Sequence, residues 1–171
     1  HMTARLTTAT DRSKAAIVGA GAVDWTSMYM GSDTRWQRKE WFVTPPYGSK
    51  ARRDLYLDNS PLATLDAVKT PTLILSGAED RRVPPAQSVM LFRALKDLGV
   101  PTELYLAPRE PHNFKELRHQ LFQVNTSMRW LTSHVTGTAY VPAVAPNPAD
   151  KPADGDDDST DDPAEPEEAL E

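Results

Sequence analysis

Three segments of strand length, separated by helical or irregular sequence, place this chain in the α/β class of folds. Residues 14–23 and 72–76 are almost continuously apolar, and residues 102–107 form a third segment of similar length. Continuous apolar runs are typical of parallel strands that are covered on both faces. Since helical sequence separates the segments, we predict a parallel sheet of about three strands with flanking helices.

Helical signals surround these strands. Residues 2–12 and 85–98 are predicted helices, and the second ends at Gly99, where glycine is a common helix terminator. Residues 114–135 repeat apolar residues at spacings of three and four, which predicts a last helix with one buried stripe. The stripe consists of Phe114, Leu117, Leu121, Val124, Met128, Leu131 and Val135. Residues 24–66 are irregular and rich in aromatic residues, and we expect short helices within them.

The composition changes sharply after residue 137. Residues 138–171 hold 11 of the 24 acidic residues and one of the 19 basic residues, so their formal charge is −10 and that of residues 1–137 is +5. The segment is rich in proline and nearly lacks large apolar side chains, so it cannot offset the entropy cost of ordering. We expect one domain over residues 1–137 and a disordered, acidic, Pro-rich tail over residues 138–171.

The chain lacks the residues that several classes of function require. The chain has no cysteine, no His-Glu-x-x-His motif and no long apolar run, so we expect no disulfide, no catalytic metal and no membrane partner. Gly19-Ala20-Gly21 lacks the third glycine of a nucleotide-binding loop, and no basic run is interleaved with aromatic residues. We therefore expect no cofactor and no nucleic-acid partner. No signal peptide and no membrane-length apolar run are visible, which favours a cytoplasmic location.

Polar residues follow two neighbouring strands of the predicted sheet. Glu79 and Asp80 follow the second strand, and His112 follows the third. Reactive residues gather at the carboxyl ends of parallel strands, and a carboxylate that holds an imidazole is the supporting half of a nucleophile–His–acid relay. An aspartate after a strand is also a common turn former, so position alone leaves both interpretations open.

Several motifs, in matching order and spacing, resemble the end of the catalytic domain of the prolyl oligopeptidase family, in particular its acylaminoacyl-peptidase-like branch. They are Gly77, the run Asp80-x-x-Val83-Pro84, the helix end at residues 94–101, and the run Arg109-Glu110-Pro111-His112. Residues 15–25, 59–62 and 68–71 also fit the family pattern, and the likeness covers most of residues 1–135.

This resemblance implies a partial α/β-hydrolase fold, of which the chain holds the C-terminal portion. It implies a serine peptidase that hydrolyses short peptides, N-acylated ones included. By the same resemblance Asp80 is the triad acid, His112 is the triad base and Glu79 is a bystander. The Arg-Glu-Pro-His run favours the peptidase branch over an esterase or dienelactone-type hydrolase, which stays open, as does a non-catalytic interaction or assembly role.

The serine that the resemblance implies is expected outside this chain. The family places it in a Gly-x-Ser-x-Gly-Gly turn, and His1-Met2-Thr3 aligns with the residues just after that turn. None of the seven serines before residue 100 lies in such a frame, whose small residues permit the sharp turn. We therefore expect the chain alone to be inactive. Its expected partners are a peptide substrate in the intact parent, the missing N-terminal portion and, by self-association, a second copy.

The remaining candidates carry weaker signals. Trp25, Tyr29 and Trp36 either line an apolar pocket for a substrate side chain or simply pack within a large loop, and the sequence favours neither interpretation. His119 and His134 lie in the predicted last helix without a ligand partner nearby in sequence, and we expect structural or solvent-facing roles for them.

Overall fold

In a computed structural model that describes residues 1–142, three parallel strands form the sheet that the sequence predicts. They are β1 (Ala16–Gly19), β2 (Thr72–Gly77) and β3 (Thr102–Ala107), and β2 lies between the other two. Residues 1–141 form one compact unit. Most of the predicted acidic tail, residues 143–171, lies outside the described residues.

Helices connect and cover the strands. In chain order they are α1 (Met2–Ala9), α2 (Trp25–Gly31), α3 (Arg35–Phe42), α4 (Lys50–Asp58), α5 (Ala86–Asp97) and α6 (Leu117–Leu131). A 3-10 segment, Pro61–Ala67, precedes β2, and a π-helical turn, Thr132–Thr136, follows α6. The irregular region between β1 and β2 therefore contains short helices, as expected.

Local sequence explains where several elements begin and end. The first strand is shorter than predicted because Ala20 adopts a φ of 41°, which turns the chain away from the sheet. The carboxylate of Asp24 accepts hydrogen bonds from the backbone N–H groups of Thr26 and Ser27, which fixes the start of α2. At the end of α5, Gly99 adopts a φ of 71°, a conformation that glycine takes without steric cost.

The core lies on both faces of the sheet, and all six residues of β2 are buried. On one face, residues of α1, α5 and the 3-10 segment pack against the strands. The buried members of this cluster are Ala4, Val18, Val23, Leu65, Val68, Ile74, Leu91, Leu95 and Val100. On the other face, Trp130 of α6 packs against Leu73 and Leu75. The continuous apolar character of the second predicted strand therefore matches burial on both faces.

The predicted burial of one α6 stripe is wrong for most of its members. Leu117, Leu121 and Val124 are more than half exposed, at 78%, 59% and 56%, and Met128 and Val135 are also exposed. The helix instead turns His119, Gln123, Thr126 and Trp130 towards the sheet. Helical periodicity identifies an apolar face but not the surface that covers it, and here the three strands contact the neighbouring face.

No helix within residues 1–142 is both long enough and apolar enough to cross a bilayer.

Candidate active site

The carboxyl ends of β2 and β3 bring the predicted site residues together. In the parallel register Gly77 lies opposite Ala107, so the two loops that follow start side by side. The backbone N–H of Ala78 donates to the carbonyl of Ala107 at 2.8 Å, and the N–H of Glu79 donates to the carbonyl of Glu110 at 3.0 Å. These hydrogen bonds join the loop that carries Asp80 to the loop that carries His112.

Glycine at the end of β2 is required by this close approach. A Cβ atom built on Gly77 would lie 2.7 Å from the carbonyl carbon of Glu110 and closer still to the carbonyl oxygens of Glu110 and Pro111. Real Cβ atoms essentially never approach backbone so closely. The glycine of the sequence motif therefore allows the two loops to touch.

Asp80 and His112 form a hydrogen-bonded pair. Oδ2 of Asp80 lies 2.8 Å from Nδ1 of His112. The carboxylate is fully buried, whereas 39% of the imidazole side chain is exposed. Oδ1 of Asp80 accepts from the backbone N–H groups of Arg82 and Val83, at 2.8 and 2.9 Å. Every oxygen of this buried carboxylate is thus used, and one of them faces the ring.

This pairing fixes the chemistry of the ring nitrogens. In neutral imidazole one nitrogen donates and the other accepts, and a carboxylate beside Nδ1 selects the tautomer that carries the proton there. Nε2 is then the acceptor, the state that a general base needs. Beside His112 lies an open, polar groove of about 480 Å³ that also touches Gly19 and Ala20 at the end of β1.

The other carboxylate in the loop takes no part in this pair. Glu79 is exposed, and its contact with the His112 loop is made by its backbone N–H rather than by its side chain. The geometry therefore pairs His112 with Asp80 and leaves Glu79 beside the site.

The three aromatic residues singled out in the sequence do not form one cluster. Trp25 and Tyr29 are buried, at 8% and 5% exposure, within a group that includes Val83 of the Asp80 loop. Trp36 is 58% exposed and lines a separate surface depression with Lys39. Packing therefore accounts for Trp25 and Tyr29, and a role of all three in binding a substrate side chain stays a prediction.

A buried arginine in this region has no counterpart in the sequence prediction. The guanidinium of Arg38 lies 4.5 Å from the ring centroid of Trp41 and 5.7 Å from that of Trp25. Burial lowers the pKa of Arg38, and the nearby charge of Arg82 lowers it further, although Asp33 opposes both effects. Its Nε has no hydrogen-bond partner among the described residues. Trp41 lies three residues after Arg38 in α3, a spacing at which helical side chains are neighbours, but no spacing rule indicates the contact with Trp25 of α2.

Glu110 is the second buried carboxylate at this end of the sheet. Its oxygens accept hydrogen bonds from the backbone N–H of Lys115 at 2.6 Å, from the backbone N–H of Glu116 at 2.9 Å and from Nδ1 of His119 at 2.7 Å. Burial acts to raise the pKa of Glu110, but these hydrogen bonds outweigh it and hold the pKa below its ordinary value. In the sequence Glu110 stands out only as part of the Arg109-Glu110-Pro111-His112 motif, and no pattern predicts its contact with His119.

Glu110, Glu116 and His119 are the side chains in residues 1–142 that come closest to a cation site. One ligand atom from each lies within 4.8 Å of the others. Both oxygens of Glu110 already accept hydrogen bonds, and Glu116 pairs with Arg109 and Arg118. A cation would have to displace these contacts, so the present arrangement is that of a hydrogen-bond network.

Comparisons with known proteins agree with this geometry. The family model described as the prolyl oligopeptidase family matches residues 1–138. The acylamino-acid-releasing enzyme of Rattus norvegicus is 37% identical over 95 residues, 53% of this chain and 13% of that enzyme. The peptidase YuxL of Bacillus subtilis is 31% identical over 129 residues, 74% of this chain and 19% of that protein.

A solved structure supports the fold as well. The acylaminoacyl peptidase of Pyrococcus horikoshii superimposes with a TM-score of 0.71 and 28% identity, over 84% of this chain and 23% of that one. The partial α/β-hydrolase fold expected from the resemblance is therefore confirmed. The chain spans about an eighth of the length of the rat enzyme. The match over residues 1–138 and the shared fold show that this chain belongs to the prolyl oligopeptidase family.

Proposed function

We propose that this chain is the C-terminal part of the catalytic domain of a serine peptidase that hydrolyses short peptides, N-acylated ones included. The observation that carries the proposal is the 2.8 Å hydrogen bond between buried Asp80 and half-exposed His112, beside an open groove. The names of the relatives, an acylamino-acid-releasing enzyme and an acylaminoacyl peptidase, support the substrate class.

In this proposal each residue has one role. A serine from polypeptide outside residues 1–171 attacks the carbonyl carbon of the peptide bond. Nε2 of His112 takes the serine proton as the bond forms and gives it to the leaving amine, and Asp80 stabilises the resulting imidazolium. Water then repeats the sequence on the acyl-enzyme and restores the serine. Because the members of such a triad act together, the chain without the serine is inactive.

The exposed apolar residues of α6 support the proposal that another polypeptide segment covers this face of the domain. Leu117, Leu121 and Val124 lie on the same side of the helix, and β1 and β3 are the two edges of the described sheet. Exposed apolar stripes and open sheet edges are ordinarily covered in stable proteins. We propose that the remaining part of the hydrolase domain covers them, and that copies of the isolated chain associate through them.

A serine-reactive fluorophosphonate probe tests the enzymatic proposal. The 171-residue chain is expected not to react, and a longer polypeptide that includes the segment before His1 is expected to be labelled at one serine. The longer polypeptide should also cleave an aminoacyl arylamide faster than a simple ester. Labelling of the 171-residue chain, or a strong preference for the ester, contradicts the proposal.

A further inference from the structure

Glu110 is built into the structure two residues before His112. Its side chain is fully buried. A buried carboxylate is costly unless hydrogen bonds replace its hydration, and the three donors described above do so for both oxygens. Two of these donors are the backbone N–H groups of Lys115 and Glu116, the two residues that lead into α6, and α6 has no side-chain cap of its own. Glu110 therefore fastens the loop after β3 to the start of α6.

The backbone of Glu110 makes a second connection. Its carbonyl accepts the hydrogen bond from the backbone N–H of Glu79, the residue before Asp80. One residue thus contacts the start of α6 through its side chain and the Asp80 loop through its main chain. The loops that carry Asp80 and His112 are therefore both connected to Glu110.

The segment from Glu110 to His112 is short and has a restricted backbone, so the position of Glu110 determines that of His112. Only Pro111 separates the two residues, and its ring fixes its own φ. Proline also restricts the residue before it to extended conformations. On the other side, Arg109 adopts a left-handed φ of 62° and pairs with Glu116 at the start of α6. Few backbone torsions are therefore free to move His112 once Glu110 is held.

We propose that Glu110 is a positioning residue, which sets the orientation of the His112 imidazole towards Asp80 by anchoring the loop between them to α6. This inference rests on the function proposed above, because only that function gives the orientation of His112 a purpose. It goes beyond a helix cap, since a cap alone would stabilise α6 without affecting the tautomer of a neighbouring ring. His119 contributes by donating to the same carboxylate.

Nitrogen NMR of the ¹⁵N-histidine-labelled 171-residue chain tests the proposal, at about pH 9, well above the ordinary histidine pKa of about 6.5. The His112 signals, assigned with His112→Asn, report which ring nitrogen carries the proton. A charge-assisted hydrogen bond of ordinary strength gives a preference of about tenfold or more for the Nδ1–H tautomer. In Glu110→Gln this preference is expected to fall by about threefold or more, because an amide cannot accept all three donors.

Two further variants make the result decisive. Glu103→Gln is the matched control, because Glu103 pairs with Arg129 on β3 and α6 without contacting the His112 loop. It should leave the His112 tautomer unchanged. His119→Phe removes the imidazole donor and supplies none in its place, while both backbone donors remain, so it should shift the tautomer in the same direction by less. It decides the matter if Glu110→Gln does not fold.

The outcomes separate this inference from the proposed function. A folded Glu110→Gln chain with the same His112 tautomer ratio as the unmodified chain overturns the positioning role alone. So does an unchanged ratio in His119→Phe if Glu110→Gln does not fold. Absence of the Nδ1–H preference in the unmodified chain overturns the proposed Asp80–His112 pair itself.

Discussion

Replacing Gly77 by alanine tests whether the Asp80 and His112 loops are in contact. The added Cβ would lie 2.7 Å from the carbonyl carbon of Glu110 and nearer still to two carbonyl oxygens. All of these atoms belong to backbone, so no flexible side chain can move aside. Overpacking a rigid site costs about 1–3 kcal/mol, and we expect about 3 kcal/mol here because the loops must separate. For a chain of this size that lowers the melting temperature by roughly 6–12 °C.

Gly19→Ala is the matched control for this substitution. Gly19 ends β1 as Gly77 ends β2, and a Cβ built on it meets nothing within 4 Å. Thermal unfolding followed by circular dichroism should therefore show little change for Gly19→Ala and a large loss for Gly77→Ala. If both variants melt within about 2 °C of each other, which corresponds to less than about 1 kcal/mol, the two loops do not touch as described.

Three further predictions concern catalysis, the surface of α6 and pH. In a longer polypeptide that contains the serine, Asp80→Asn should lower kcat by about 10⁴-fold, because the wrong tautomer of the imidazole is then favoured, and near-normal peptidase activity would contradict this. Leu121→Glu should change the free energy of unfolding by less than about 0.5 kcal/mol and reduce self-association in sedimentation experiments, because Leu121 is exposed. Trp130→Ala, at a buried position of the same helix, should cost about 3–5 kcal/mol. A large loss of stability in Leu121→Glu would show that the exposed face is covered within the chain. A hydrogen bond from Arg129 lowers the pKa of Glu103 below the ordinary 4.5, so this carboxylate stabilises the fold above that value and the stabilisation is lost as the pH falls through the lowered pKa. Glu103→Gln should therefore cost less than about 1 kcal/mol at pH 7, as expected for a partly exposed pair, with the difference vanishing in urea unfolding at acidic pH rather than staying constant.

The parts of the structure that the sequence predicts depend on backbone rules. Parallel strands end at the same edge of a sheet, so the sequence alone predicts that Asp80 and His112 lie close together. The strand Thr102–Ala107 has the predicted bounds, and β2 extends the predicted segment by one residue. These features follow from local patterns, which a single sequence contains in full.

The parts that the sequence misses depend on contacts between distant segments. The period of α6 identifies its apolar residues correctly, but the sheet covers the face of Trp130 instead, so Leu121 is exposed. The burial of Glu110 is not predicted because two of its partners are backbone N–H groups. Every residue except proline supplies such a group, so residue type does not reveal the contact. The burial of Arg38 is not predicted because its contact with Trp25 depends on how α2 and α3 pack, although Trp41 lies only three residues away in α3.

The protonation of the two ring nitrogens of His112 is the most direct measurement of the central pairing. In the unmodified chain the proton should reside on Nδ1 beside the Asp80 carboxylate, with Nε2 bare, and in Asp80→Asn this preference should disappear. Equal ¹⁵N spectra for the two proteins, or a proton that resides on Nε2 in both, would show that the carboxylate and the imidazole do not act as a pair.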